Sequence, residues 1–375
     1  MIFIRLLIRY LLIVLFKNLI RMKTRFFMKL CLFSLLVWCV SSCKSDNGDS
    51  VRPIALECMY THLTDMTNML DTAKIGTSDG TFPLANAQNL QKAVEELQTG
   101  ISKGMAGYFV LQYEIDNYCI AAEKAIAEFQ DSYQQTLQPG TPAELKVFGI
   151  DGKGRIEFGS DPAYGGGNTF TVESWVKYDA GFFESGIGSF LSTFDGKQPN
   201  EGWMINFLGS NLRTTIGMGP QEGRVLEEGR AYPDNFGKWN HVVTVWDNTL
   251  PEGQLKMYVN GELFFSKTND VKNDAGVLQN YMPNTRNQNM WAFQEPTDNS
   301  RCMTGFIKKF RMWSTAKSAN EVKTLMNSDV TGTESGLVCA WDFTTVAEDV
   351  TNIPDKTGKH VAKIVGNYKW FKVEN

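Results

Sequence analysis

From residue 56 the apolar positions recur at helical spacing. Leu56, Met59, Leu63, Met66, Leu70 and Ala73 form one stripe. "GTSDGTFP" (76–83) breaks it, and Leu90, Val94, Leu97 and Ile101 form a second, which stops near Gly104. Ile115, Cys119, Ala122, Ile126, Phe129 and Tyr133 form the third. Each stripe buries one face, so the pattern predicts three amphipathic helices packed up-down-up. "QPGTP" (138–142) ends it.

Past residue 144 the period falls to two. In "TFTVESWVKY" (169–178), Phe170, Val172 and Val176 alternate with Thr171, Glu173, Trp175 and Lys177. In "GKWNHVVTVWDN" (237–248), Trp239, His241, Val243 and Val245 share one face. "LKMYVNGELFF" (255–265) predicts a hairpin, because Asn260-Gly261 supplies the positive φ angles of a type I′ turn. "GRIEFG", "SFLSTF", "WMINFLG", "LRTTIGMG", "FIKKFRMW" and "GLVCAWDF" predict further strands. One late helix is signalled by a capping box, Ser318 with Glu321, before Val322, Leu325 and Met326. The fold class expected is mainly β with a small α domain: a three-helix bundle, then an antiparallel β-sandwich.

The first 42 residues belong to neither. Lys23, Arg25 and Lys29 precede the apolar core "LCLFSLLVWCV" (30–40), too short to span a bilayer as a stable helix. "VSSC" (40–43) resembles the lipobox of bacterial lipoproteins, with Val40 where Leu is usual. The resemblance makes Cys43 the lipid-attachment residue. A signal anchor and a plain secretory signal are the alternatives. A more distal apolar stretch, residues 1–21, is interrupted by Arg5, Arg9 and Lys17, and Met22 is an alternative start. The expected organisation is therefore a leader and signal peptide (1–42), a lipidated tether (43–52), the bundle (53–136), a linker (137–144) and the sandwich (145–375).

Charge narrows the partners. Residues 1–42 hold seven of the 37 basic residues and no acid; the remaining 30 against 41 acidic ones leave a net of −11. Such a chain repels phosphate backbones, which argues against nucleic acid. After Cys43 the cysteines are Cys58, Cys119, Cys302 and Cys339, with no C-x-x-C pair. Their pairing is open from sequence, and the apolar stripe under Cys119 reads as a buried free thiol. Three scattered histidines argue against a histidine metal site.

Residues 145–375 resemble the laminin-G-like, concanavalin A-like lectin/glucanase superfamily. The pieces that carry the likeness are "FTVESWVKY", "GKWNHVVTVWD", "LKMYVNGEL", "GFIKKFRMWSTAKSANEVKTLM" and "GLVCAWDF", in the family's order. It implies a curved two-sheet jelly roll. Residues 51–136 resemble the helical domain, of unknown function, that precedes such sandwiches in surface lipoproteins of glycan-foraging Gram-negative bacteria. Relatives include glycan-binding modules, glycosidases and protein-binding domains, so the fold leaves function open.

Glucanases of this superfamily place their acids on one strand as Glu-x-Asp-x-Glu or with one extra residue, because residues i and i+2 point to the same side. No Glu-x-Asp occurs after residue 144; Glu114-Ile-Asp116 falls on the third helix. No G-x-S-x-G occurs after residue 144 ("GTSDG", 76–80, falls in the break between helical stripes), and no phosphate-loop motif is present. The expectation is a binding protein rather than an enzyme, with glycoside hydrolase as the second alternative. A pyranose offers an apolar face ringed by hydroxyls, and "NYMPNTRNQNMWAFQEPTDNSR" (280–301) sets Tyr281, Trp291 and Phe293 among amides and charges. These three are the candidate ligand-binding residues, weighed against plain packing under a long loop. Trp175, Trp239, Trp313 and Trp341, at the family's signature positions, read as core, as does Trp203. Some relatives bind calcium at loops, which leaves a structural calcium open at the acidic turns of Asp195 and Asp355; Asp in such turns needs no metal, and no metal ligands are assigned. The whole reads as an outer-membrane surface lipoprotein, the periplasmic face being the other site, that binds oligosaccharide or polysaccharide, with outer-membrane glycan-uptake proteins as partners. The first alternative is a protein-binding adhesion or scaffold component.

Overall fold

The computed structural model describes residues 56–373 except 109–110, 151–152, 179–185, 198–199, 220–223, 233–236 and 287. Cys43 and the leader lie outside the described residues. Three helices come first: α1 (Glu57–Thr72), α2 (Leu84–Met105) and α3 (Gln112–Asp131). Their buried positions are those of the three stripes: Met59 and Met66; Leu90, Val94, Leu97 and Ile101; Ile115, Cys119, Ala122 and Phe129. Gly100 is required where the helices meet. A Cβ there would come within 2.7 Å of Met59 and 2.8 Å of Tyr118. The far end is closed by Phe82, stacked on Phe129 at 4.3 Å.

Cys119 is not a free thiol. It forms a disulfide with Cys58, tying α3 to α1. The stripe placed Cys119 correctly inward, but Cys58 meets it there from the margin of the first stripe. Cys302 and Cys339 are free and buried.

The sandwich is two antiparallel sheets. The first runs β10 (Glu262–Lys267), β9 (Leu255–Val259), β8 (Asn240–Asp247), β3 (Thr169–Lys177), β14 (Thr304–Trp313), β1 (Ala143–Phe148), β18 (Tyr368–Lys372), and β15 (Leu337–Asp342) also pairs with β14. The long β14 serves two partners in turn, β1 along Thr304–Ile307 and β15 along Lys309–Trp313. The second runs β16 (Ile353–Pro354), β17 (Val361–Gly366), β2 (Gly154–Ser160), β11 (Asn289–Ala292), β4 (Ile187–Ser192), β5 (Trp203–Leu208), β6 (Asn211–Gly217), β7 (Val225–Ala231). β12 (Gln294–Glu295) and β13 (Asp298–Cys302) form a small hairpin.

The inner faces make the core: Phe170, Val172, Val176, Val242 and Trp246 against Trp203, Ile205, Phe207, Leu212 and Ile216. Thr214 and Thr244 hydrogen-bond across it at 2.9 Å, so neither buried hydroxyl is orphaned. The predicted hairpin turn has Asn260 at φ 51° and Gly261 at φ 80°.

The outer face of the first sheet carries α4 (Ala319–Met326), capped by Ser318 and Glu321. Val322 packs on Val243, Val245 and Tyr258. Beneath it Glu173 accepts from Trp313 Nε1 (3.0 Å) and Arg311 (3.3 Å) and pairs with His241 (3.0 Å). Arg311 in turn donates to the Leu325 and Ser328 carbonyls and so fixes the helix end. Trp341 and Trp203 are core, as expected. Trp175 and Trp239 are not. They sit half-buried on this outer face, Trp175 against the His241 ring (4.3 Å) and Trp239 donating to Glu144 (2.6 Å). Strand alternation puts them opposite Val172 and Val176, hence outside.

Candidate functional site

The outer face of the second sheet differs, and its middle is covered: Ser192, Met204, Asn206 and Thr215 are no more than 2% exposed. Met290 and Ala292 of β11 point into the core, so Trp291 between them points out. Residues paired across strands share a face. The register therefore lines up Lys363, Glu157, Trp291, Ser192, Met204, Thr215 and Glu227 across β17, β2, β11, β4, β5, β6 and β7. Asn206 and Arg213 form a second row one step along, opposite Gly229. Gly229 has a steric reason: a Cβ there would lie 2.4 Å from that of Arg213.

Trp291 is half-buried, and the Arg155 guanidinium lies 4.7 Å from its ring centre. Glu157 holds Arg155 through Nε at 2.7 Å. Two to four strands away, on β5, β6 and β7, runs a closed polar ring. Arg213 donates to Asn206 (2.6 Å) and Glu227 (3.1 Å); Asn206 donates to Thr215, and Thr215 to Glu227, both at 3.1 Å. Burial lowers the Arg213 pKa, Glu227 opposes that, and the nearby Arg301 adds to the lowering. Arg301 itself pairs with Glu295 (2.9 Å) and Asp298 (3.4 Å) on the β12–β13 hairpin. Burial raises the Glu295 carboxyl against the pull of Arg301. Asp298 lies lower than usual: burial resists, but Ser300 and Arg301 prevail.

Two buried acceptors at the margin of this face lack a protein partner, Ser189 Oγ and Gln294 Oε1. Ser189 pairs with Asn206 across β4 and β5. Phe293 N–H donates to the Phe190 carbonyl (2.6 Å), and continuing that register brings Gln294 level with Ser189. A buried acceptor left unmet costs about 1–3 kcal/mol, and both atoms are closed to solvent.

Of the three aromatics singled out in sequence, the fold delivers one to this surface. Phe293 is fully buried in the core against Phe190, with φ 67°. Tyr281 packs on Phe170 and Trp246 from the core side, and its hydroxyl donates to the Gly165 carbonyl. Both are corrected to packing roles: β11 ends at Ala292 and the positive φ of Phe293 turns its ring inward against strand alternation, and the Tyr281 hydroxyl is consumed by backbone. Arg155 and Glu157 beside Trp291, and the polar ring farther along the sheet, were missed. Arg155, Glu157, Asn206, Arg213 and Glu227 sit on three other strands and a neighbouring edge. Their only sequence signal is the polar half of each strand's alternation.

Among the described residues no group of three or more His, Cys, Asp or Glu is placed to hold a metal ion. The two acidic turns are already occupied. Asp195 accepts from Lys197 N–H (2.9 Å) and pairs with Arg286 (3.2 Å); Asp355 accepts from Thr357, Lys359 N–H (3.0 Å) and His360 N–H (3.1 Å). These donors do not fit a calcium shell, which takes oxygen ligands. A groove of about 920 Å³ lies elsewhere, between Pro139–Gly140 and the 342–354 turns, with Trp370 at its wall. Its Asp342 is engaged by Thr344 (3.0 Å) and Lys356 (3.7 Å).

Residues 151–323 match the concanavalin A-like lectin/glucanases superfamily, and residues 54–133 match a domain of unknown function. The chain thus carries a concanavalin A-like domain behind an N-terminal domain of unknown function. Among solved structures, a candidate carbohydrate binding protein from Bacteroides ovatus is similar at 16% identity, over 64% of this chain and 62% of that one, with a TM-score of 0.45. The chain spans less than two thirds of that protein's length. A heptameric SAP-like pentraxin from Limulus polyphemus is 14% identical over 62% and 96% of the two chains, TM-score 0.40. A sialidase from Streptococcus pneumoniae is 19% identical over 42% and 24%, TM-score 0.33. No curated protein matches this chain.

Proposed function

We propose that the sandwich binds oligosaccharide on the outer face of its second sheet without cleaving it. A lipid on Cys43 holds the protein at the outer-membrane surface, where it serves a glycan-capture system. The observation that carries the binding reading is the row containing Trp291. A half-buried indole flanked by the Arg155 guanidinium and the Glu157 carboxylate matches the mixed chemistry of a pyranose. Membership of the domain in a lectin/glucanase superfamily supports it.

Cleavage needs an acid and a base or nucleophile flanking the bond. Here Glu157, Glu227, Glu295 and Asp298 are each committed to an arginine. That favours binding alone. The anchor reading rests on "VSSC" behind an apolar core. The Cys58–Cys119 disulfide supports export, since such bonds persist in oxidising compartments. No described helix is long and apolar enough to cross a membrane. A glycan array probed with residues 44–375, followed by Trp291→Ala, tests the binding reading. Fatty-acid labelling of the full chain against Cys43→Ala tests the anchor.

A further inference from the structure

The polar ring on β5, β6 and β7 lies under cover. Asn206, Thr215 and Arg213 are 0%, 2% and 9% exposed. Phe194 and Met204 are buried too, yet neither belongs to the core between the sheets. The β12–β13 hairpin supplies the cover. It leaves the core at Phe293 and returns at Met303, whose N–H donates to the Phe293 carbonyl (3.1 Å). Between those two residues it packs along β4. A Cβ on Gly196, past the end of β4, would lie 3.4 Å from the Phe194 ring, 3.5 Å from Arg301 and 3.8 Å from Glu295. What holds the hairpin together is internal. Gln294 donates to Asn299, Glu295 accepts from Thr297 and Arg301 (both 2.9 Å), and Asp298 takes Ser300 and Arg301. Among the described residues no hydrogen bond or ion pair joins Gln294–Arg301 to the second sheet. Toward Arg213 the hairpin presents only the like charge of Arg301.

We infer that β12–β13 is a flap that lifts as a unit about Phe293 and Met303 and opens Asn206, Arg213 and Thr215 to a sugar chain held at Trp291. The inference rests on the sugar-binding reading of this face. Phe293 marks one hinge: its φ of 67° breaks away from β11 in a conformation that L side chains rarely take. Closing is favoured by the apolar contact over Phe194 and Met204. Opening is favoured by water. At the root of the hairpin, Gln294 Oε1 and Ser189 Oγ are unmet acceptors closed to solvent, and lifting hydrates both. Burial raises the Glu295 carboxyl, and the same motion relieves it. The opened face runs from Trp291 on β11 to Glu227 on β7. Four strand spacings make about 19 Å, room for several sugar rings rather than one. Arg213 and Asn206 then offer a guanidinium and an amide to sugar hydroxyls, which both donate and accept.

The flap is tested without sugar, in the full chain carrying Ser189→Cys. The Ser189 hydroxyl has no hydrogen bond to lose, and it pairs with Asn206 across β4 and β5. Labelling by N-ethylmaleimide is read by peptide mass spectrometry, with the core thiol Cys339 as the gauge of global unfolding. The introduced thiol should label at least ~tenfold faster than Cys339, as local opening requires. Its rate should scarcely change in about 1 M urea, because a small opening exposes little surface. Equal rates with equal urea dependence overturn the flap, since only unfolding would then reach the face. The ligand is tested by calorimetry with the longest oligosaccharide retained on a glycan array and with the monosaccharide of its terminal unit. Arg213→Lys and Thr215→Val should each weaken the oligosaccharide at least ~fivefold and leave the monosaccharide unchanged. Unchanged oligosaccharide affinity in both variants overturns entry beneath the flap. A parent chain that binds no sugar removes the sugar reading, while the thiol rates still decide whether the hairpin lifts.

Discussion

His360 lies between two carboxylates, Asp161 at 2.8 Å from Nε2 and Asp355 at 3.4 Å from Nδ1. Both acids are held below the usual carboxylate range. Burial opposes this, but the Ala163 N–H and His360 prevail at Asp161, and Thr357 with the His360 backbone prevails at Asp355. A depressed folded pKa stabilises the fold above the unfolded value, near 3.9 for Asp, and the gain is lost as pH falls through the folded value. Stability should therefore drop on acidification below about pH 4. Asp161→Asn should flatten that limb and cost about 1–2 kcal/mol at pH 7. Urea unfolding from pH 3 to 7 measures both, and an unchanged acid slope in the variant would contradict the pairing. None of this was legible in sequence, because Asp161 and His360 are 199 residues apart. Trp291 was legible as an aromatic among amides. Phe293, two residues on and of the same parity, was chemically indistinguishable from it, and only the break in β11 at its positive φ separates them.

Regular elements with long periods were readable at the next scale. The three stripes, the Asn260-Gly261 turn and the Ser318–Glu321 box each state a local rule that the fold obeys. The stretch 280–301 did not read as strand, yet it holds β11, β12 and all but the last residue of β13. β11 is four residues long, and its polar Asn289 together with the positive φ of Phe293 truncates the alternation. β7, "VLEEGRA", was missed for a related reason: it is an edge strand with few apolar residues to pattern. The disulfide was missed because pairing is a tertiary fact. It closes a separation of 61 residues, which by loop entropy stabilises the bundle by about 4 kcal/mol. Cys58→Ala with Cys119→Ala should lower the melting temperature of the helical region. A scan of far-ultraviolet dichroism with and without reductant checks this, and identical curves would argue against the bond.

Residues 56–373 belong to one compact unit, although helices and sandwich differ in period and class. The join is chemical. Lys146 on β1 is 1% exposed and pairs with Asp131 at the end of α3 (2.7 Å). Lys369 donates to the Asp131 and Tyr133 carbonyls, and Gln135 to the Trp370 carbonyl at 2.8 Å. Removing one member of a buried ion pair costs about 3–5 kcal/mol. Residues 137–375 alone should then melt well below the whole chain, and Asp131→Ala in the whole chain should reproduce part of the loss. Equal melting of fragment and whole would mean the two parts are energetically independent.

The central claim is that the second sheet's outer face binds sugar through Trp291 and leaves it intact. Isothermal calorimetry of residues 44–375 and Trp291→Ala, with an array-selected oligosaccharide and chromatography of the recovered sugar, tests it most directly. Stacking on an aromatic is worth about 1–3 kcal/mol by analogy with nucleic-acid bases, so Trp291→Ala should weaken binding about tenfold or more. Because Trp291 is half-buried on a face rather than in the core, its melting temperature should change little. The sugar should return uncut. Unchanged affinity in Trp291→Ala, or shortened sugar from the wild type, would contradict the account.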